Sequence, residues 1–132
     1  MPYLLDTNAA IGLMKRHPGI AAHVRRVGRL QLRLCAIVEA ELWFGVAKSV
    51  KVAENTDRLL RLLAWVPSLP FSVEATRRFG EIRADLAGKG TPIGPYDLQI
   101  AAIASANDLI LVTNNTSEFG RIPNLRVEDW TV

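Results

Sequence analysis

The chain has 132 residues, 49% of them hydrophobic, which is enough apolar material for the core of one domain. No apolar run reaches the roughly 20 residues that a membrane-spanning helix needs, and the first residues lack the basic leader and long apolar stretch of a signal peptide. Cys35 is the only cysteine, so the composition excludes an internal disulfide and a cysteine-based zinc site. We expect one domain over residues 1–132, in the cytoplasm and without a membrane partner.

The charge balance is mildly basic, with 16 Lys and Arg against 13 Asp and Glu and a formal charge of +3. If the acids cluster inside the fold, the outer surface is more basic than this net charge suggests, and such a surface suits a phosphate backbone. Ordinary solvated helix faces explain any single basic run equally well. The basic side chains crowd the first quarter and two later stretches, at Lys15, Arg16, Arg25, Arg26, Arg29, Arg33, Arg58, Arg61, Arg77, Arg78, Arg83 and Lys89.

The predicted elements alternate between strands and helices. In chain order, we expect a strand at residues 3–5, helices at 9–15 and 20–27, a strand at 32–37, helices at 38–48 and 52–64, a strand at 66–71, helices at 73–87 and 95–106, and strands at 109–112 and 125–130. Pro67 and Pro70 restrict the third strand to a short or edge position. This order predicts an α/β sandwich with a mostly parallel central sheet.

Polar side chains follow two of the predicted strands. Asp6 comes directly after the first strand, and Asn115 lies shortly after the strand at 109–112. Because ligand sites in parallel sheets form beyond the carboxyl ends of the strands, we expect both side chains at the same edge of the sheet. A simple role for Asp6 as the N-cap of the following helix is the alternative.

Asp97 is the third residue of the helix that begins at Pro95. It leads a stripe with helical spacing, formed by Asp97, Ile100, Ala101 and Ala104. An acid in a first turn also complements the helix dipole, but that role does not explain why the acid heads the stripe that faces the core. We therefore expect Asp97 to face the site.

The helix at 38–48 offers two acids on opposite sides, Glu39 and Glu41. Glu41 shares a side with Val38, Leu42 and Gly45, whereas Glu39 shares a side with Trp43. Periodicity favours Glu41 only slightly and leaves the choice open.

Four motifs in chain order resemble the PIN-domain ribonucleases, specifically the VapC-type toxins of bacterial toxin–antitoxin pairs. The resemblance extends over essentially the whole chain and is carried by Leu4-Leu5-Asp6-Thr7-Asn8, Ala40-Glu41-Leu42-Trp43-Phe44-Gly45, Gly90-Thr91-Pro92-Ile93-Gly94-Pro95-Tyr96-Asp97, and Leu111-Val112-Thr113-Asn114-Asn115 with Glu118-Phe119. It implies a PIN-like α/β/α sandwich.

The resemblance also implies a set of site residues. Asp6, Glu41 and Asp97 match the acids that hold Mg²⁺ in this family, which selects Glu41 over Glu39. Asn115 falls where many PIN domains have a fourth aspartate, so this chain departs from the pattern there. An amide can supply an oxygen ligand or orient a water, and Asn115→Asp should then preserve or strengthen Mg²⁺ binding. Glu118 could assist, although a surface acid beside Phe119 is an equal alternative.

The expected chemistry is Mg²⁺-dependent hydrolysis of RNA. Mg²⁺ prefers oxygen ligands and keeps several waters, so three carboxylates suffice, and Mn²⁺ should substitute. A metal-activated water would attack the phosphorus while the metal stabilises charge on the phosphate oxygens. A metal-free ribonuclease usually needs histidines as acid and base, and His17 and His23 lie in a basic helical region that reads as surface.

The resemblance implies the biological partners as well. We expect a structured RNA substrate, with a tRNA anticodon region as the leading candidate, a homodimer, and a cognate antitoxin that forms a hetero-oligomer with the toxin. A segment of the antitoxin is expected to lie in a groove over the acids, with Trp43, Phe44 and Trp65 as candidate groove residues or, alternatively, core residues.

Other functions fit the sequence less well. The main alternative is a catalytically weakened PIN module that binds RNA or a protein without cleavage, and the neutral Asn115 favours it. A receiver-type domain lacks the required lysine after Thr113, and a haloacid-dehalogenase-like hydrolase lacks a second aspartate at Asn8.

Overall fold

The computed structural model describes residues 2–132 and contains alternating strands and helices. Its strands are β1 (Tyr3–Leu5), β2 (Leu32–Cys35), β3 (Ser68–Leu69), β4 (Ile110–Val112) and β5 (Val127–Glu128). Its α-helices are α1 (Thr7–Met14), α2 (Pro18–Val27), α3 (Ala36–Ala47), α4 (Val52–Trp65), α5 (Val73–Gly88), α6 (Pro95–Ala106) and α7 (Thr116–Phe119). No helix within residues 2–132 is long and apolar enough to cross a membrane.

The five strands of the described chain form one sheet in the order β3-β2-β1-β4-β5, and every neighbouring pair is parallel. Parallel strands are normally covered on both faces, which explains why their residues are almost continuously apolar. Leu4, Leu5, Leu34 and Leu111 are fully buried. The predicted α/β sandwich is therefore confirmed, with a sheet that is parallel throughout.

The sheet orders two segments that carry polar side chains. The amide of Asp6 donates to the carbonyl of Val112 at 3.0 Å, and the amide of Thr113 donates to the carbonyl of Glu128 at 3.0 Å. These bonds continue the ladder by one residue beyond β1 and β4. Asp6 and Thr113 therefore lie side by side at the carboxyl edge of the sheet, and Asn115, which the sequence predicted for this edge together with Asp6, follows two residues later.

Several predicted boundaries were wrong by a few residues. Helix α1 begins at Thr7 rather than residue 9, because Asp6 already caps it. The second strand ends at Cys35, and Ala36 and Ile37 open α3 instead of extending the strand. The third and fifth strands shrink to two residues each, because only those residues pair with β2 and β4. Helix α7 and a short 3-10 turn at Arg29–Gln31 were not predicted.

Candidate active site at the carboxyl edge of the sheet

Asp6 occupies the junction between β1 and α1. Its Oδ1 accepts a hydrogen bond from the amide of Ala9 at 2.8 Å and so caps α1. Burial raises the pKa of the Asp6 carboxyl above its ordinary value, while hydrogen bonds from the Thr113 side chain and the Ala9 amide act in the opposite direction. The capping role and the site role are compatible, because a carboxylate has two oxygens.

Asp97 lies in the first turn of α6, and it is partly buried. Burial raises the pKa of its carboxyl, and the negative charges of Glu118, Glu41 and Asp6 raise that pKa further, in this order. Glu41 also raises the pKa of Asp6. Asp6, Glu41, Asp97 and Glu118 therefore form one electrostatically coupled group, which we call the acid cluster.

Each glutamate of the acid cluster accepts a hydrogen bond from a neutral side chain. The Thr7 hydroxyl on α1 donates to Oε1 of Glu41 on α3 at 2.7 Å. The Asn115 amide Nδ2 donates to Oε2 of Glu118 at 2.7 Å. Asn115 itself is oriented by Thr113, whose Oγ1 accepts the Asn115 backbone N–H at 3.0 Å.

The donor chemistry of the acid cluster fits a hard divalent cation. Its four side chains are carboxylates, the ligands that Mg²⁺ prefers, and a cation would relieve their mutual repulsion. As the side chains stand, no group of three or more histidine, cysteine or acidic side chains in residues 2–132 is close enough to hold an ion.

An open groove adjoins the acid cluster at Glu41. It lies between α1, α3 and α4 and has a volume of about 1000 Å³. Its lining is largely apolar with a basic fringe, comprising Ile11, Leu13, Met14, Lys15, Arg16, Glu41, Leu42, Gly45, Val46, Asn55, Arg58, Leu59, Arg61, Leu62 and Trp65. Of the three aromatic candidates, Trp65 lines this groove, whereas Trp43 and Phe44 are exposed outside it.

The two histidines have structural contacts. Nδ1 of His17 accepts the amides of Gly19 and Ile20 and so caps α2. The ring of His23 stacks on Trp130, with 5.2 Å between the ring centroids. Both residues are half-buried at the surface, and these contacts give each a structural role.

Comparison with known proteins places this geometry in a family. The PIN domain family matches residues 3–125. The tRNA(fMet)-specific endonuclease VapC of Salmonella typhimurium is 39% identical over 133 residues, which cover 98% of each chain. Ribonuclease VapC2 of Rickettsia felis is 40% identical over 134 residues, again with 98% of each chain covered.

A solved complex has the same fold. The crystal structure of VapBC2 from Rickettsia felis bound to a DNA fragment from its promoter matches with a TM-score of 0.91 and 38% identity, covering 98% of this chain and 99% of the other. The chain belongs to the PIN-domain family and, within it, to the VapC ribonucleases. PIN-domain ribonucleases generally use divalent metal ions. The family resemblance read from the sequence is confirmed.

The charges of the predicted residues Asp6 and Glu41 both act on the carboxyl of the third, Asp97, although their side chains as they stand do not form an ion site within residues 2–132. Asn115 contacts Glu118, the fourth acid of the cluster. Sequence reasoning assigned Glu118 no clear role, yet after burial its charge has the largest effect on the pKa of Asp97. It also missed Thr7 as a partner of Glu41, although Thr7 stands next to Asp6 in the first motif. A neutral donor adjacent to a site acid is the signal that could have drawn attention to Thr7.

Proposed function

We propose that this protein is a Mg²⁺-dependent endoribonuclease, the toxin of a toxin–antitoxin pair. Its substrate would be a structured RNA, and the tRNA(fMet) specificity of the Salmonella relative supports a tRNA. We take the anticodon region as the expected target. The acid cluster is the observation that carries this proposal, because Asp6 repels the partly buried Asp97 while no Lys, Arg or His within residues 2–132 forms a salt bridge with either carboxylate. A cytoplasmic location is part of the proposal, since tRNA is a cytoplasmic substrate.

Asp6, Glu41 and Asp97 would hold the metal. Bound Mg²⁺ would lower the pKa of a coordinated water and stabilise negative charge on the scissile phosphate. Asp6 is held by Thr113 and Ala9, so its carboxylate is already fixed at the edge of the sheet. Asp97 lies in the first turn of α6, where the positive end of the helix dipole partly offsets the repulsion by neighbouring acids.

A cognate antitoxin is the proposed protein partner. The groove between α1, α3 and α4 is apolar enough to receive a peptide segment, and it reaches the acid cluster at Glu41. A segment in this groove would block access to the acids. We further propose that the toxin forms a homodimer. Its assembly with the antitoxin into a hetero-oligomer is supported by the VapBC2 complex of Rickettsia felis.

Product analysis tests the proposed reaction. When the metal activates water, the substrate 2′-hydroxyl has no chemical part, so the products should have 5′-phosphate and 3′-hydroxyl ends. A chelator should stop cleavage, and Mg²⁺ or Mn²⁺ should restore it. Ca²⁺ should support little turnover, because its looser coordination positions the water poorly. A 2′-deoxy nucleotide at the cut site should slow cleavage only through binding.

Two outcomes would contradict this reaction. Cyclic-phosphate ends, or full activity in chelator, would exclude the metal mechanism. RNA binding without cleavage under any divalent ion would favour a PIN module that only binds. Sequencing the 5′ ends of RNAs cut after brief expression would identify the substrate.

A further inference from the structure

The glutamates of the acid cluster differ from the aspartates in how they are held. Asp6 is fixed close to its backbone, because it caps α1 and borders β4. Glu41 and Glu118 have an additional rotatable bond, so their carboxylates can reach many positions around the same Cα atom. A precise oxygen position at the end of such a side chain requires a second contact.

Thr7 makes such a contact with Glu41. The hydroxyl belongs to the first residue of α1, and it donates across 34 sequence positions to a carboxylate on α3. Two other helical threonines behave differently. The hydroxyls of Thr56 and Thr76 donate to backbone carbonyls of their own helices, at Val52 and Val73. The Thr7 contact is therefore a tertiary one, made to an acid of the cluster.

Asn115 makes a local contact with Glu118, three residues further along the chain. Its Nδ2 can only donate, so the 2.7 Å contact with Oε2 of Glu118 identifies that carboxylate as an acceptor. The backbone of Asn115 is held in turn by Thr113, which is 1% exposed and also contacts Asp6. Thr113 and Asn115 therefore connect Asp6 to Glu118.

We propose that Thr7 and Asn115 are positioning residues, each of which holds one oxygen of a site glutamate by a hydrogen bond and leaves the other oxygen to face the cation. This inference rests on the proposed function. Carboxylates that ligate metals are commonly hydrogen-bonded by a neighbouring group, and loss of that group weakens metal affinity or activity about 10-fold to 100-fold. Asn115 thus acts through Glu118 and is not itself a ligand.

Substitutions at Thr7 test the first contact by calorimetric titration of the purified chain with Mn²⁺. Thr7→Val keeps the shape and removes the hydroxyl, so we expect affinity to fall about 10-fold. Thr7→Ser keeps the hydroxyl, and it should restore affinity to within about 3-fold of the unmodified chain. With RNA substrate, kcat should follow the same order while KM stays constant. Thr76→Val is the matched control, because it removes a hydroxyl that contacts only its own helix.

Asn115→Asp distinguishes a positioning residue from a ligand. A ligand role predicts that the added carboxylate preserves or strengthens Mn²⁺ binding. A positioning role predicts weaker binding, because the variant loses the donor and places a second negative charge against Glu118. Asn114→Asp is the control, since it adds the same charge at the neighbouring exposed residue.

The outcomes separate this inference from the proposed function. Suppose that the unmodified chain binds Mn²⁺ and cleaves RNA. The Thr7 assignment is then wrong if Thr7→Val binds Mn²⁺ as tightly as the unmodified chain does. It is also wrong if Thr7→Ser binds Mn²⁺ as weakly as Thr7→Val. Unchanged or tighter binding by Asn115→Asp would make Asn115 a ligand. If the unmodified chain itself neither binds Mn²⁺ nor cleaves RNA, the proposed function fails and this inference fails with it. Thermal unfolding of each variant in chelator checks that the fold is retained.

Discussion

The acid cluster and the adjoining groove are neighbouring surfaces of opposite chemistry, since the first is acidic and the second is apolar with a basic fringe. The cluster concentrates negative charge at a buried edge of the sheet, where Asp6 and Asp97 have raised pKa values. The groove exposes apolar side chains with a basic fringe, and Glu41 is the one acid in its described lining. A small cation would neutralise the first surface, and the second is wide and apolar enough for a protein segment. Glu41 belongs to both, so occupancy of the groove can affect the site directly.

The largest expected effect separates the site acids from a neighbouring acid. Asp6→Asn, Glu41→Gln and Asp97→Asn each remove charge with little change in volume, so RNA cleavage should fall by roughly 10²-fold or more while the protein stays folded. Glu39→Gln, on the same helix as Glu41, should cleave normally. Gel assays of cleavage and circular dichroism of each variant provide the measurement. Equal losses in Glu39→Gln and Glu41→Gln would refute the assignment of Glu41.

The second expected effect concerns the groove alone. Met14→Glu places a charge in its apolar lining, so affinity for the co-expressed antitoxin should fall about 10-fold, equivalent to roughly 1.4 kcal/mol. Cleavage of RNA by the free toxin should remain within about 2-fold, since Met14 is not in the acid cluster. Leu60→Glu is the matched control, because Leu60 is exposed on α4 outside the groove. Similar losses of affinity in both variants would place the antitoxin on a different surface.

The fold was largely predictable because its central strands are short buried runs between clear helical patterns. Tyr3–Leu5 and Pro95–Ala106 were predicted at their observed bounds. The short elements were not, because the two residues of β3 become a strand only through pairing with β2. Local patterns contain no information about such a partner.

The site was predictable only in part, for a related reason. Asp6 and Asp97 lie next to element boundaries, and these can be read from local sequence. The choice between Glu39 and Glu41 remained open in the pattern and was resolved by family resemblance. Glu118 was indistinguishable from a surface acid, because its proximity to Asp97 depends on how α7 packs after β4. The Thr7 contact with Glu41 depends on two helices far apart in the chain.

The smallest expected effect tests the electrostatic cost of the acid cluster through stability. The native pKa of Asp97 is raised, so the native state holds this proton more tightly than the unfolded state does. The contribution of the raised Asp97 pKa to the free energy of unfolding is complete below the unfolded pKa of about 3.9 and is lost as pH rises through the native pKa.

In chelator at pH 7, Asp97→Asn should therefore raise the melting temperature by a few degrees, and the gain should vanish toward pH 3. Asp57→Asn, at an exposed position of α4, should show no comparable gain. Mn²⁺ should stabilise the unmodified chain more than Asp97→Asn, because the substitution removes one of the carboxylates proposed to bind the ion. A lower melting temperature for Asp97→Asn at pH 7, or an equal gain at both pH values, would contradict the proposed electrostatic cost.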